Sequence, residues 1–172
     1  MSRRPLPFDP IDEAARQWRG RWGAVESMRA VTSVMRAQQL LLAQLDELLK
    51  AHGLTFARFE ALVLLTFSRR GALPLGKIGE RLQVHPTSVT GIVDRLERDA
   101  FVRRVPHPED RRAVLAELTE LGRGVVERAT RDLVAARFAL GALGPAQLEE
   151  LTALLRIVRR EAGDFVEPHP ET

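Results

Sequence analysis

Residues 84–119 read VHPTSVTGIVDRLERDAFVRRVPHPEDRRAVLAELT, and two periodicities meet inside them. From Pro86 to Arg98 the apolar residues Val89, Ile92, Val93 and Leu96 recur at the spacing of a helix with one buried stripe. Pro86 suits the first helical position, because the N–H it lacks would have no partner inside the helix there. The opposite face carries Thr87, Ser88, Thr90, Gly91, Asp94, Arg95 and Arg98. The period then drops to two: Phe101 to Val105 and Val114 to Leu118 alternate as short strands, joined by the polar segment PHPEDRRA. The pattern predicts a helix followed by a ribbon with a long, arginine-rich tip. Small hydroxyl side chains at the leading end of a helix let it approach base edges, and Arg95 and Arg98 further along can reach phosphate or base. A basic hairpin tip can reach the adjacent backbone or minor groove.

The flanking segments fit around this unit. Gly76 to Leu82 reads as a short helix with Ile78 and Leu82 inward, and Gln83 to His85 is a compact turn that lets two helices cross as a helix-turn-helix. His85 stands where a cap residue is expected; its imidazole either caps the helix or approaches nucleic acid. Leu73 to Leu75 suffices only for a minimal strand. Upstream, Thr55 caps a helix over Phe56–Phe67 with Phe59, Leu62, Val63, Leu65 and Thr66 on its stripe, and Gly53 closes a long helix over Glu26–Lys50. That helix is apolar over so wide a surface that it must bury two faces, one of them against another chain. Downstream, Thr119 starts a helix expected to reach about Leu140, and after the break Gly141–Gly144 a last helix runs from Pro145 to near Gly163. The leucine content of these ends exceeds what a small domain needs and implies a helical dimer interface drawn from both termini. Residues 1–10 hold three prolines and read as an arm; Ile11–Trp22 reads as a helix capped by Asp9. Trp18 and Trp22 share one face of it, either to anchor the extension or to hold a flat ligand.

Composition narrows the classes. The chain has 172 residues, 45% of them hydrophobic, enough for one domain with dimerisation extensions. Its formal charge is only +3, so the distribution matters more: residues 1–36 hold seven arginines against four acids, while residues 161–172 hold four acids and no Lys or Arg and read as a frayed, solvated end. Cysteine is absent, which excludes disulfides, thiol redox sensing and cysteine-ligated zinc. Four scattered histidines and the lack of a GxxxxGK[ST] loop argue against an enzyme, against a cofactor and against a metal site. Without a bilayer-length apolar run or a signal segment, a cytoplasmic protein with no membrane partner is expected.

The motifs LTFARFEAL at 54–62, LPLGKIGERL at 73–82, VHPTSVTGIVDRLERD at 84–99 and FVRRVPHPEDRRAVLAELTELG at 101–122 resemble the MarR family of bacterial winged helix-turn-helix regulators. The resemblance implies a mainly α fold with a small β wing, a winged helix-turn-helix plus a helical dimerisation region. It implies an N-terminal arm and extra helix at 1–24, a first dimerisation helix at 25–53, a DNA-binding region at 54–118, C-terminal dimerisation helices at 119–163 and an acidic tail at 164–172. In the family the helix corresponding to Pro86–Arg98 enters the major groove, so Thr87, Ser88, Thr90 and Arg95 become the recognition residues, with His85 at the start of the helix. The wing signature Asp-x-Arg is matched by Asp110 and Arg112: Asp110 would hold the wing, Arg112 would reach the minor groove and Arg111 a phosphate. Family members sense aromatic carboxylates, phenolic compounds and other small amphipathic molecules. The extra N-terminal helix resembles the urate-responsive branch, for which Trp18, Glu60 and Arg95 or Arg98 are the nearest matches, Glu60 standing where that branch has Asp. The resemblance thus implies a homodimeric, sequence-specific DNA-binding regulator of a pseudo-palindromic operator, a repressor released by a small aromatic or amphipathic effector. The alternative is an architectural DNA-binding dimer that senses nothing.

Overall fold

The computed structural model describes residues 5–110 and 113–167. Helix α1 (Pro10–Trp22) starts where Asp9 accepts the Ile11 N–H at 2.8 Å, and it lies along α2 (Val25–Leu49) through buried Ala15 and an Arg29–Asp12 ion pair at 2.5 Å. A short 3-10 turn at Lys50–His52 and Gly53, at φ 68°, end α2 as its sequence foretells. Helix α3 (Phe56–Thr66) is capped twice: Thr55 Oγ1 accepts the Arg58 N–H, and Asp46 on α2 accepts the Phe56 N–H at 2.7 Å. The second cap pins α3 to α2 as well as satisfying a terminal donor.

Strand β1 (Ala72–Pro74) leads directly into α4 (Leu75–Leu82), which turns into α5 (Pro86–Arg98). The hairpin of β2 (Val102–Pro106) and β3 (Val114–Leu118) pairs Val102 with Leu118 and Arg104 with Ala116. The residues 72–74 extend this hairpin by pairing Leu73 with Ala116, so the sheet is antiparallel in the order β1-β3-β2. The core beneath it comprises Leu49, Leu62, Leu65, Ile78, Val89, Val93, Leu96, Ala116 and Leu133, contributed by α2 through α6 and by β3. No buried polar side chain interrupts it among the described residues.

Helix α6 (Glu120–Ala135) departs from expectation at its end. Instead of running to Leu140 it stops at Ala135, and Arg137, Phe138 and Ala139 follow at φ 50°, 50° and 60°. Arg137 holds this left-handed turn by donating to the carbonyl oxygens of Gly141 and Leu143 at 3.0 and 2.7 Å. Helix α7 (Pro145–Glu161) buries none of its residues within the chain. Residues 164–167 fold back on α7, Asp164 pairing with Arg159 at 2.6 Å and Glu167 with Arg156 at 2.8 Å, with the Arg156 guanidinium over the Phe165 ring; the rest of the expected acidic tail, 168–172, lies outside the described residues. No described helix is long and apolar enough to cross a membrane.

Candidate nucleic-acid interface

The buried face of α5 is Val89, Val93 and Leu96, and this orients everything else on the helix. Thr87, Ser88, Thr90, Arg95 and Arg98 all stand exposed on the far side. The close crossing with α4 depends on Gly79, where a Cβ would fall 2.9 Å from the Val89 methyl. His85 caps the helix: its Nδ1 accepts the Thr87 N–H at 3.3 Å and lies 3.2 Å from Thr87 Oγ1, which leaves Nε2 as the donor nitrogen of the neutral ring. Thr90 turns its hydroxyl hydrogen back to the Pro86 carbonyl at 3.2 Å, so it offers acceptor lone pairs outward. Among the described residues Arg95 and Arg98 make no ion pair, and both guanidiniums remain available to an anionic partner.

The wing arginines divide into different tasks. Arg104 donates to Asp94 at 2.6 Å and to Glu97, and its backbone N–H also meets Glu97 at 3.2 Å; strand β2 is thereby bolted to the exposed edge of α5. Arg103 pairs across the hairpin with Glu117 at 2.7 Å, a hydrogen bond that holds the Glu117 carboxyl below the usual carboxylate range. These two arginines brace the hairpin. The tip is organised by His107, whose Nδ1 accepts the backbone N–H groups of Glu109 and Asp110 at 3.2 and 3.1 Å, while the His107 backbone N–H donates to the Ala113 carbonyl at 3.1 Å. Asp110 contributes its carbonyl to the Ala113 N–H at 3.0 Å. Sequence reading missed His107; its only signal was the PHPED context, in which an imidazole between two prolines can cap a turn. Arg111 and Arg112 lie outside the described residues.

A second feature opens between α3 and α6: a cavity of about 720 Å³ walled by Phe56, Phe59, Phe67 and Phe138, with Val63, Leu64, Leu82 and Val126. Its polar lining is Glu60, Thr66, Glu127, Thr130 and Arg131. Glu60 remains exposed, and partial desolvation against this lining raises its carboxyl above the usual range. Of the four residues expected to share a ligand, only Glu60 lines this cavity. Trp18 packs on Trp22 with ring centroids 4.7 Å apart, and Arg95 and Arg98 face outward from α5.

A helix-turn-helix with a three-stranded antiparallel sheet behind it, one face of its second helix exposed and its wing braced to that helix, defines the winged helix-turn-helix class. The MarR family model matches residues 55–114. The crystal structure of Sco5413, a MarR family transcriptional regulator from Streptomyces coelicolor, is 57% identical over 84% of this chain and all of that one, with a TM-score of 0.78. Sco3205 from the same organism, a MarR family regulator solved in complex with DNA, is 28% identical over 82% of this chain and 90% of that one, at a TM-score of 0.74. The HTH-type transcriptional regulator PecS of Dickeya dadantii is 28% identical over 87% of this chain and 91% of its own length. This chain belongs to the MarR family of transcriptional regulators.

Proposed function

We propose that the protein is a homodimeric, sequence-specific DNA-binding regulator, with residues 54–118 reading DNA and residues 25–53 and 119–163 joining the two copies. The observation that carries the reading is the exposed face of α5, where Thr87, Ser88, Thr90 and two uncommitted arginines stand beside a braced wing. A hydroxyl-rich leading end fits the major groove, with His85 at its start and Arg95 toward base or phosphate. Arg111 takes a phosphate, Arg112 the minor groove, and Asp110 shapes the tip between His107 and Ala113. That the relative Sco3205 was solved in complex with DNA supports DNA binding by this chain. For the dimer the support is α7, a 17-residue helix with no buried residue of its own, together with exposed Val31, Met35, Leu154 and Val158. Two copies related by a two-fold axis place their α5 helices about one helical turn apart on a pseudo-palindromic operator.

The Glu60 cavity supports an effector-released repressor over a DNA-binding dimer that senses nothing. It joins α3, which packs beneath the reading unit, to α6 and the turn before α7. A ligand there shifts operator affinity to the extent that it binds the two half-site spacings unequally. Trp18, stacked on Trp22 away from this cavity, anchors α1. Fluorescence anisotropy on the DNA upstream of the protein's own coding sequence tests the reading. Arg112→Ala is expected to weaken binding about tenfold and to reduce the salt slope by about one. Unchanged affinity and slope in a folded Arg112→Ala protein would remove Arg112 from the wing contact.

A further inference from the structure

The cavity between α3 and α6 is rich in acceptors and poor in donors. Thr66 Oγ1 donates to the Leu62 carbonyl at 2.9 Å and Thr130 Oγ1 to the Val126 carbonyl at 2.7 Å. Each hydroxyl has committed its single hydrogen to its own helix and turns only lone pairs toward a guest. Glu60 and Glu127 add carboxylate oxygens, and neither is engaged in an ion pair or hydrogen bond among the described residues. Arg131 is the one charged donor in the lining; it lies a turn along α6 from Glu127, where the opposite charge lowers its pull on an anion. Four phenylalanine rings form the apolar wall, and aromatic faces attract cations. No cation pairs with Glu60 among the described residues, so its exposed carboxyl is open to a guest that brings one.

We infer that this cavity takes a lipophilic amine in its ammonium form, its charge beside Glu60 and its apolar body among Phe56, Phe59, Phe67 and Phe138, and that it discriminates against aromatic carboxylates of the same size. The inference rests on reading the cavity as the effector site. An arylcarboxylate would face two acids and the lone pairs of two threonines with one arginine in its favour. An arylalkylammonium meets two carboxyls and two threonine oxygens, with Arg131 alone against it.

Three probes of one shape separate the possibilities: 1-naphthylmethylamine, 1-naphthalenemethanol and 1-naphthoate, titrated calorimetrically into the full-length protein at neutral pH. The amine is expected to bind about tenfold more tightly than the alcohol, and the carboxylate most weakly. Glu60→Gln, with folding checked by its thermal transition, should abolish most of the amine's advantage while leaving the alcohol's affinity unchanged. Naphthoate binding as tightly as the amine, or an amine-to-alcohol ratio untouched by Glu60→Gln, would overturn the inference. Operator release is scored separately by anisotropy. If the amine binds in the expected order but leaves DNA affinity alone, the ligand class stands and the effector reading fails; if none of the three binds at millimolar concentration, both fall.

Discussion

Ala100 sits at φ 59° immediately after α5, with its N–H on the Glu97 carbonyl and the Phe101 N–H on the Leu96 carbonyl. This is the left-handed turn that ends a helix, occupied here by a residue whose Cβ disfavours it. Because Ala100 is exposed, Ala100→Gly removes the steric cost without opening a cavity. The substitution is expected to stabilise the protein by about 1 kcal/mol, read from the urea midpoint at constant slope. Two glycines make the opposite case. At Gly122 a Cβ would fall 2.1 Å from the Phe101 carbonyl oxygen, and at Gly79 it would meet Val89. The first lets α6 start against the root of the wing, and the second lets α4 cross α5 closely.

The coupling of α5 to the wing is a property of the two elements together. Arg104 reaches Asp94 and Glu97, which lie one turn apart on α5, so hairpin and helix are presented as one piece. Partly exposed ion pairs contribute little to global stability, about 1 kcal/mol or less, but they fix an orientation. Arg104→Ala is therefore expected to weaken operator binding severalfold with the salt slope unchanged and the thermal transition nearly so. A loss of slope equal to that of a phosphate-contacting arginine would instead make Arg104 a direct DNA contact. The turn at Arg137–Ala139 is a second product of packing. Its three left-handed residues are held by the two Arg137 hydrogen bonds and place Phe138 in the cavity wall.

At the scale of the whole molecule, one chain leaves too much apolar surface uncovered. Val158 on α7 is 66% exposed and Val31 on α2 is 56% exposed, although both lie on apolar stripes of long helices. An uncovered surface of this kind marks an interface. Val158→Glu is expected to shift the sedimenting species from a dimer to a 19.3 kDa monomer with helicity retained. Operator affinity should fall at least about tenfold, since the second half-site is no longer tethered. A dimer that persists at micromolar concentration would place the interface elsewhere.

The alternation of periods 3.6 and 2 along residues 84–119 determined the helix, the hairpin and the outward face of α5, because a helix with one apolar stripe has only one way to lie on a core. Caps at Asp9 and Thr55 were legible for the same reason, each pairing a polar atom with a donor two or three residues away, while His85 stood open between cap and nucleic-acid contact until its Nδ1 was seen to accept the Thr87 N–H. Contacts between residues distant in the chain were not legible. Residues 136–140 carry no glycine or proline, so local propensity continues α6 through them, and only the Arg137 and Phe138 contacts turn the backbone left-handed. That Arg103 and Arg104 brace the hairpin shows only in the fold, which places Glu117, Asp94 and Glu97 opposite them. Within one chain Trp18 does not line the cavity that holds Glu60, because α1 lies on α2 while Glu60 faces α6. Local periodicity determined the elements and their exposed faces; the tertiary structure decided which charges stay available and which residues meet across a cavity, since both depend on neighbours that sequence spacing does not bring together.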